Sequence, residues 1–238
     1  MGLYIIMMGV QGAGKGMQAG IIQEKYGIPQ VSTGDLFRAM KHRNDPLALE
    51  VQGILERGDL VSDNITCRMV EDRLAESDAA NGVILDGFPR NPEQVKWLKD
   101  HLTAKGESIT AVLLLELDLY TAFRRAFGRI KDDVTGESLN VFFNNDGIET
   151  WRMVEDPKGE FPPRLEATLN NGNPVIRRAD DANAFSIINR IDTYMDTTMP
   201  LIEQFDAEGL VVRIDANQSI EDVKRDIAAA IEARYARA

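Results

Sequence analysis

Cysteine is almost missing from this 238-residue chain: Cys67 stands alone, so no disulfide can form within it. Histidine is nearly as scarce, with only His42 and His101. One thiol and two imidazoles cannot build a zinc site of the usual four-ligand kind, and no zinc is expected. Positive charge is also in short supply. Lys and Arg number 27 against 38 Asp and Glu, a formal net charge of −11. So acidic a surface lacks the basic patches that displace counterions from nucleic acid or dock on anionic lipid, and neither partner is expected. Long apolar runs are lacking too. The run Leu3 to Met8 is far too short for a membrane span, and it has neither a basic flank nor a small-residue cleavage pattern. A cytoplasmic, monomeric protein is the expectation. Hydrophobic residues still make up 44%, enough for a buried core, which argues against disorder.

Leu3 to Met8 runs into glycines and reads as a fully buried parallel strand. A helix follows to about Tyr26, where Gly27 and Pro29 stop it. Ser32-Thr33-Gly34-Asp35 reads as a helix start, with a hydroxyl or carboxylate capping the first turn. Further helices are expected around 46–57, at 63–77 behind Ser62, after Pro92, from about Tyr120 to Ile130, and from about Ile220 to Arg234. Val83-Ile84-Leu85, Ala111 to Leu115 and Leu210 to Ile214 read as strands. Strands alternating with helices imply an α/β fold around a parallel sheet. Residues 131–177 break the alternation. Turn residues are dense there, as in Thr135-Gly136, Asn144-Asn145 and Asn170-Asn171-Gly172-Asn173, and periodicity is weak. So long an irregular stretch reads as a small inserted domain or lid. The division expected is a core of 1–130 and 178–238 and an insert of 131–177.

Gly9-Val10-Gln11-Gly12-Ala13-Gly14-Lys15 has the spacing of a phosphate-binding loop. Glycines let backbone N–H groups converge on phosphate oxygens, the next helix adds its positive end, and Lys15 supplies a mobile charge. Gly16 stands where the general pattern has a Ser or Thr to hold Mg²⁺. Without its context the segment would be only a glycine-rich turn, but a buried strand precedes it and a helix follows. Asp86 ends an apolar strand, where a carboxylate would hold Mg²⁺ through water. A helix cap or turn is the plainer alternative. Arg125 and Arg129 are four apart and are expected on one face of a helix leading into the insert.

Gly16 after the lysine, Ser32-Thr33-Gly34-Asp35-Leu36-Phe37-Arg38 and Asp86-Gly87-Phe88-Pro89-Arg90 together resemble the adenylate kinases. The resemblance covers almost the whole chain except the insert. It implies a P-loop core with two mobile parts, a helical monophosphate-binding segment at 32–61 and the lid. It implies the reaction ATP + AMP ⇌ 2 ADP with Mg²⁺, and so ATP, AMP and ADP as small-molecule partners. Carried over by position, ATP is held by Gly12, Ala13, Gly14, Lys15, Gly16, Met17, Arg125, Arg129 and Gln218. AMP is held by Thr33, Arg38, Asp59, Leu60, Val61, Gly87, Phe88, Pro89, Arg90 and Gln94. Arg178 and Arg190 match two further arginines at the base of the lid, with Arg177 beside the first. Lys15, Arg90, Arg125, Arg129, Arg178 and Arg190 are then the catalytic set.

The chemistry suits these residue types. The accepting phosphate oxygen is already ionised near neutral pH, since a phosphate monoester has a second pKa of about 6. Catalysis reduces to alignment and charge stabilisation, which guanidiniums provide by forking onto phosphate oxygens. A glutamine amide at Gln94 offers an acceptor and a donor that match adenine N6 and N1. Asn91 is a mild similarity to the pyrimidine kinases. The chain departs from the pattern in three places. Met17 replaces the usual threonine, Ser138 and Leu139 stand where a Val and a Tyr contact nucleotide, and the lid has no zinc-binding cysteines. A UMP/CMP kinase or a regulatory nucleotide-binding relative are the alternative readings. The latter would be expected to have lost Lys15 or Arg90, and a GTPase would carry an Asn-Lys-x-Asp motif, which is missing.

Overall fold

The computed structural model describes residues 2–40, 42–56, 61–155, 164–178, 181 and 183–235. Along the chain the elements are β1 (Leu3–Met8), α1 (Lys15–Tyr26), β2 (Gln30–Ser32), α2 (Thr33–Met40), α3 (Pro46–Glu56), α4 (Asp63–Leu74), β3 (Gly82–Asp86), α5 (Pro92–Ala104), β4 (Ala111–Glu116) and α6 (Leu119–Phe127). There follow β5 (Arg129–Asp132), β6 (Ser138–Asn140), β7 (Ile148–Val154), β8 (Arg164–Leu169), β9 (Val175–Ile176), α7 (Ala184–Thr193), α8 (Met199–Ala207), β10 (Val211–Asp215) and α9 (Ile220–Tyr235). They pack as two units. One comprises Met1–Gly9, Gly14–Leu115 and Thr197–Ala238; the other comprises Val10–Ala13 and Glu116–Asp196.

The first unit is built on a five-stranded parallel sheet in the order β10-β4-β1-β3-β2. The apolar runs of β1, β3 and β4 are buried, as both faces are covered by helices, whereas β10 at the end of the sheet is only partly buried. Ile6, Met8, Leu85, Val112 and Leu114 pack with Phe88, Leu98 and Phe205 in one core cluster. Local chemistry sets the helix ends. Gly27 ends α1 in the left-handed conformation, at φ 67°. Ser62 accepts from the Ile65 N–H at the start of α4, and Asn91 from that of Gln94 at the start of α5. Leu36 and Met40 of α2, Leu47 and Val51 of α3 and Ile65 and Met69 of α4 share a smaller apolar cluster. The helical segment after β2 therefore has a core of its own.

Outside the insert, three elements of this fold lack a clear signature in the sequence. Strand β2 is three residues with a single buried apolar side chain, Val31, too short to show a period. Helices α7 and α8 lie among irregular polar residues, but Asn183 caps α7 through the Ser186 N–H and Pro200 sits in the first turn of α8.

In the second unit the described part of the turn-rich insert is β-structure. Strands β6, β5 and β9 form one antiparallel sheet, and β7 pairs with β8 as a hairpin. The turn residues converge on Asp132, which is 1% exposed. Its carboxylate accepts from the backbone N–H groups of Val134 and Thr135 at 2.8 and 2.9 Å and from the side-chain amides of Asn171 and Asn173 at 2.9 Å. These bonds, that from Thr135 foremost, hold the Asp132 carboxyl far below the usual carboxylate range. Helix α6 ends at Phe127, capped at Gly128, and the chain continues directly as a strand. The expected helix from Tyr120 to Ile130 is therefore too long, and Arg125 and Arg129 do not share a helical face: Arg125 is on α6 and Arg129 opens β5. The physical reason is tertiary. The Asn140 amide donates to the Arg125 carbonyl at 2.8 Å, and a Cβ at position 128 would come within 2.6 Å of the Asn140 and Phe142 side chains. Pairing of β5 with β6 wins over local helix propensity.

The Asp132 network yields a stability prediction. Asp132→Asn presents an amide N–H to donors and should lower the melting temperature of the insert and speed its proteolysis. The sign with pH is fixed by the depressed folded pKa. The contribution is complete above the unfolded carboxylate value of about 3.9 and fades as pH falls below it. Melting curves of the two proteins from neutral pH downwards should show their gap narrowing only under acid conditions.

Candidate active site

Parallel pairing places the carboxyl ends of three strands side by side. Met7 pairs with Asp86, and Asp86 with Ser32, so the segments that follow β1, β3 and β2 leave from one edge of the sheet. Such an edge is where open α/β sheets bind ligands. In this way Gly9, Gly87 and Thr33, far apart in sequence, are gathered in the first unit.

Helix α1 begins at Lys15 with Gly14 before it at φ 89°. No side chain caps it and no acidic residue occupies its first turn. The first-turn N–H groups of Lys15, Gly16 and Met17 thus form the positive end of a helix, a place suited to an anion. Lys15 Nζ donates to the Gly9 carbonyl at 2.6 Å. Met17 is 53% exposed. Gln218 is half-buried, and its amide donates to the Asp215 carbonyl at 3.2 Å and the Asp226 carboxylate at 3.0 Å.

Around β3 the contacts are denser. Gly87 takes φ 74°, in the left-handed region. Its carbonyl accepts from Thr33 Oγ1 at 2.9 Å and from Arg90 Nε at 2.7 Å. Phe88 is sealed in the core and Pro89 is buried, which anchors the loop. Arg90 stays accessible, although surrounding protein desolvates its guanidinium enough to push its pKa down; the nearby charge of Asp86 opposes this. Asp86 is half-buried, and its Oδ2 accepts from the Gln30 amide at 3.1 Å. Arg38 is exposed on α2 and paired with Asp35 at 2.5 Å. Val61 is half-buried beside the small apolar cluster. Asp59 and Leu60 lie outside the described residues.

Gln94 is 5% exposed, and each end of its amide has a protein partner. Its Oε1 accepts from the Arg90 backbone N–H at 2.8 Å, and its Nε2 donates to Asp63 at 2.6 Å. Asn91, the residue similar to the pyrimidine kinases, has a structural role. It caps α5 and donates to both oxygens of Asp63 at 3.0 Å.

The second unit holds Gly12, Ala13 and the remaining arginines. Gly12, at φ 92°, lies so close to α6 that a Cβ would sit 2.5 Å from the Ala122 carbonyl oxygen. Desolvation pushes the Arg125 pKa down, against the charge of Asp118. Asp181, 0% exposed, is the hub. It accepts from Arg129 Nε and Nη2 at 2.8 and 2.5 Å, from Gln11 Nε2 at 2.6 Å and from Arg190 Nη1 at 3.5 Å. Arg177 Nη2 donates to the Phe127 carbonyl at 2.6 Å, with its guanidinium over the Phe127 ring, whereas Arg178 is exposed. Leu139 is buried and Ser138 exposed. Sequence reasoning passed over Asp181, Gln11 and Asp63. The signal for Asp181 was an acidic pair close behind Arg177-Arg178; for Asp63 it was a carboxylate in the first turn of a capped helix.

The sequence model of the family described as Adenylate kinase matches residues 7–210. The chain is 37% identical over 226 residues to the adenylate kinase of Clostridium beijerinckii and 36% identical over 225 residues to that of Fusobacterium nucleatum, covering 94% of this chain and 96% of the relative in each case. The adenylate kinase of Bacillus subtilis is 34% identical over 226 residues, with the same coverage.

Gly87 gives a test of the loop geometry. A Cβ there would lie 2.9 Å from both Arg90 Nη2 and Thr33 Oγ1, at a positive φ. Gly87→Ala should cost about 1–3 kcal/mol in denaturant unfolding and displace the Arg90 guanidinium. Weakened AMP binding in calorimetry is the expected companion.

Proposed function

The chain belongs to the adenylate kinase family, whose activity is reversible transfer of the terminal phosphoryl group of ATP to AMP, giving two ADP, and from that premise we propose how its side chains divide the work. The observation that carries the assignment is the loop around Gly87, where Thr33, Arg90 and Gln94 are bonded into one array at the carboxyl edge of the sheet. Thr33, Arg38, Val61, Gly87, Phe88, Pro89, Arg90 and Gln94 form the AMP site, with Asp59 and Leu60 completing it. Arg90 and Arg38 take the phosphate, and Gln94 pairs with the adenine edge. Gly12 to Met17, Arg125, Arg129 and Gln218 hold ATP. The start of α1, with no side-chain cap and no acidic residue in its first turn, supports this, because the positive end of a helix suits phosphate oxygens. The Met17 side chain adds nothing there, so the 17 N–H acts alone. Arg178 and Arg190 bridge the two phosphate chains. Arg177 is left to a structural part, as its guanidinium is committed to Phe127.

No general base is required. AMP presents an ionised oxygen, so the residues need only align it and neutralise developing charge. Lys15 follows the transferring group with its three donors, and the guanidiniums fork onto equatorial oxygens. Asp181 keeps Arg129 and Arg190 from scattering while no phosphate is bound. Asp86 fits a hydrated divalent cation: its partner Gln30 is neutral, so its negative charge is left to act on positive groups, as Arg90 registers. Mg²⁺ held there through water would neutralise charge spread over the ATP phosphates. The 131–177 insert, with Arg129 and Arg178 flanking it in sequence, shields the phosphoryl group from water during transfer. The chain acts as a cytoplasmic monomer.

Diphosphate formation from Mg-ATP with AMP, UMP, CMP and GMP tests the acceptor. AMP should lead by at least about tenfold in kcat/KM, on the order of 1.4 kcal/mol; faster turnover of UMP or CMP would defeat the Gln94 assignment. Lys15→Met retains length and removes charge. It should leave the melting curve unchanged and reduce kcat by about 10²-fold or more, and near-normal turnover would remove Lys15 from the reaction.

A further inference from the structure

A glutamine amide can read a base only if its two ends are told apart, since half a turn exchanges acceptor for donor. In this chain each end of the Gln94 amide meets a partner with one possible sense. The Arg90 backbone N–H can only donate, so the atom 2.8 Å from it is Oε1. The Asp63 carboxylate can only accept, so the atom 2.6 Å from it is Nε2. Asp63 is itself held in place. It sits in the first turn of α4 behind the Ser62 cap, and Asn91 Nδ2 donates to both its oxygens at 3.0 Å. Asn91 is tied in turn to Gln94, whose N–H it accepts at 2.9 Å. With Gln94 only 5% exposed, little solvent is at hand to satisfy a rotated amide.

Each end of that amide keeps one further valence, a lone pair on Oε1 and a hydrogen on Nε2. In this sense they match the N6 amino group and N1 of a 6-aminopurine. A 6-oxopurine offers an oxygen and an N1–H instead, which places acceptor against acceptor and donor against donor. We propose that Asp63 is the positioning residue that sets the purine preference of the monophosphate site, by fixing the hand of the Gln94 amide without touching the base. This rests on the reading of Gln94 as the base-pairing residue. The ionised carboxylate also strengthens the amide as a whole, because a hydrogen bond to charge polarises the next one in the chain.

Steady-state kinetics with AMP and with IMP, its 6-oxo counterpart, test the proposal on Asp63→Ala, Asp63→Asn and Gln94→Leu, with the KM for ATP and the melting temperature measured alongside. In Asp63→Ala the KM for AMP should rise about tenfold and the AMP-over-IMP preference in kcat/KM should fall about tenfold. Its kcat at saturating AMP should stay within about twofold and its KM for ATP should not move. Asp63→Asn keeps one acceptor oxygen in place and should fall between Asp63→Ala and the parent; should Asp63→Ala fail to fold, this variant carries the same comparison. If Gln94→Leu loses the preference while both Asp63 variants keep it, the Asp63 assignment alone is overturned. If Gln94→Leu also keeps it, the base is read elsewhere and both assignments fall. Equal losses for AMP and IMP in the Asp63 variants would assign a merely structural part and overturn the proposal.

Discussion

The parallel register of β1, β3 and β2 is the constraint on which the rest of the first unit depends. Parallel strands run their carboxyl ends to a common edge, so whatever follows each strand is delivered there whatever its place in the chain. The glycine-rich loop, the Thr33 helix and the Asp86-Gly87 turn are separated by tens of residues, yet pairing of Met7 with Asp86 and of Asp86 with Ser32 sets their starts level. Burial on both faces holds that register, because a slip of one residue would send Leu85 or Ile6 out of its cluster.

A protein with net charge −11 that handles polyphosphate must concentrate cations against its own field. It does so by holding guanidiniums on internal acceptors. Arg129 and Arg190 share Asp181, Arg38 pairs with Asp35, and Arg90 donates to the Gly87 carbonyl. Each partner reduces the rotamer freedom of a long side chain before a ligand arrives, which lessens the ordering cost at binding. Each is also weaker as a partner than a phosphate that can take two parallel bonds from the same fork.

The acid-amide cluster of Asp63, Asn91 and Gln94 and the one around Asp132 follow a single logic in the two units. In each, a carboxylate collects side-chain amide donors from a distant part of the chain. The Asp132 cluster joins a turn to a loop forty residues on. The Asp63 cluster joins α4 to α5 and orients a side chain whose sense of hydrogen bonding has a chemical consequence.

The sequence by itself determined the alternation of strand and helix and the P-loop signature. The lone Cys67 and the two histidines left no ordinary zinc site, and Ser62, Pro92 and Gly27 marked helix ends, because caps and apolar runs act over a few residues. It also carried the family, through short motifs whose residues are in place within one turn. Only the tertiary structure decided the rest. Arg129 is on a strand because Asn140 and Phe142 crowd Gly128. Strand β2 exists because β3 offers it a partner, not because Gln30-Val31-Ser32 has a period of its own. The described part of the turn-rich insert is β-structure, in which Asp132 ties its own turn to Asn171 and Asn173. Asp181 and Asp63 became visible as organisers only when chain segments far apart in sequence met around them. A hydrogen bond between distant residues leaves no pattern in either neighbourhood, since each partner alone is just another polar residue in a loop or a first turn.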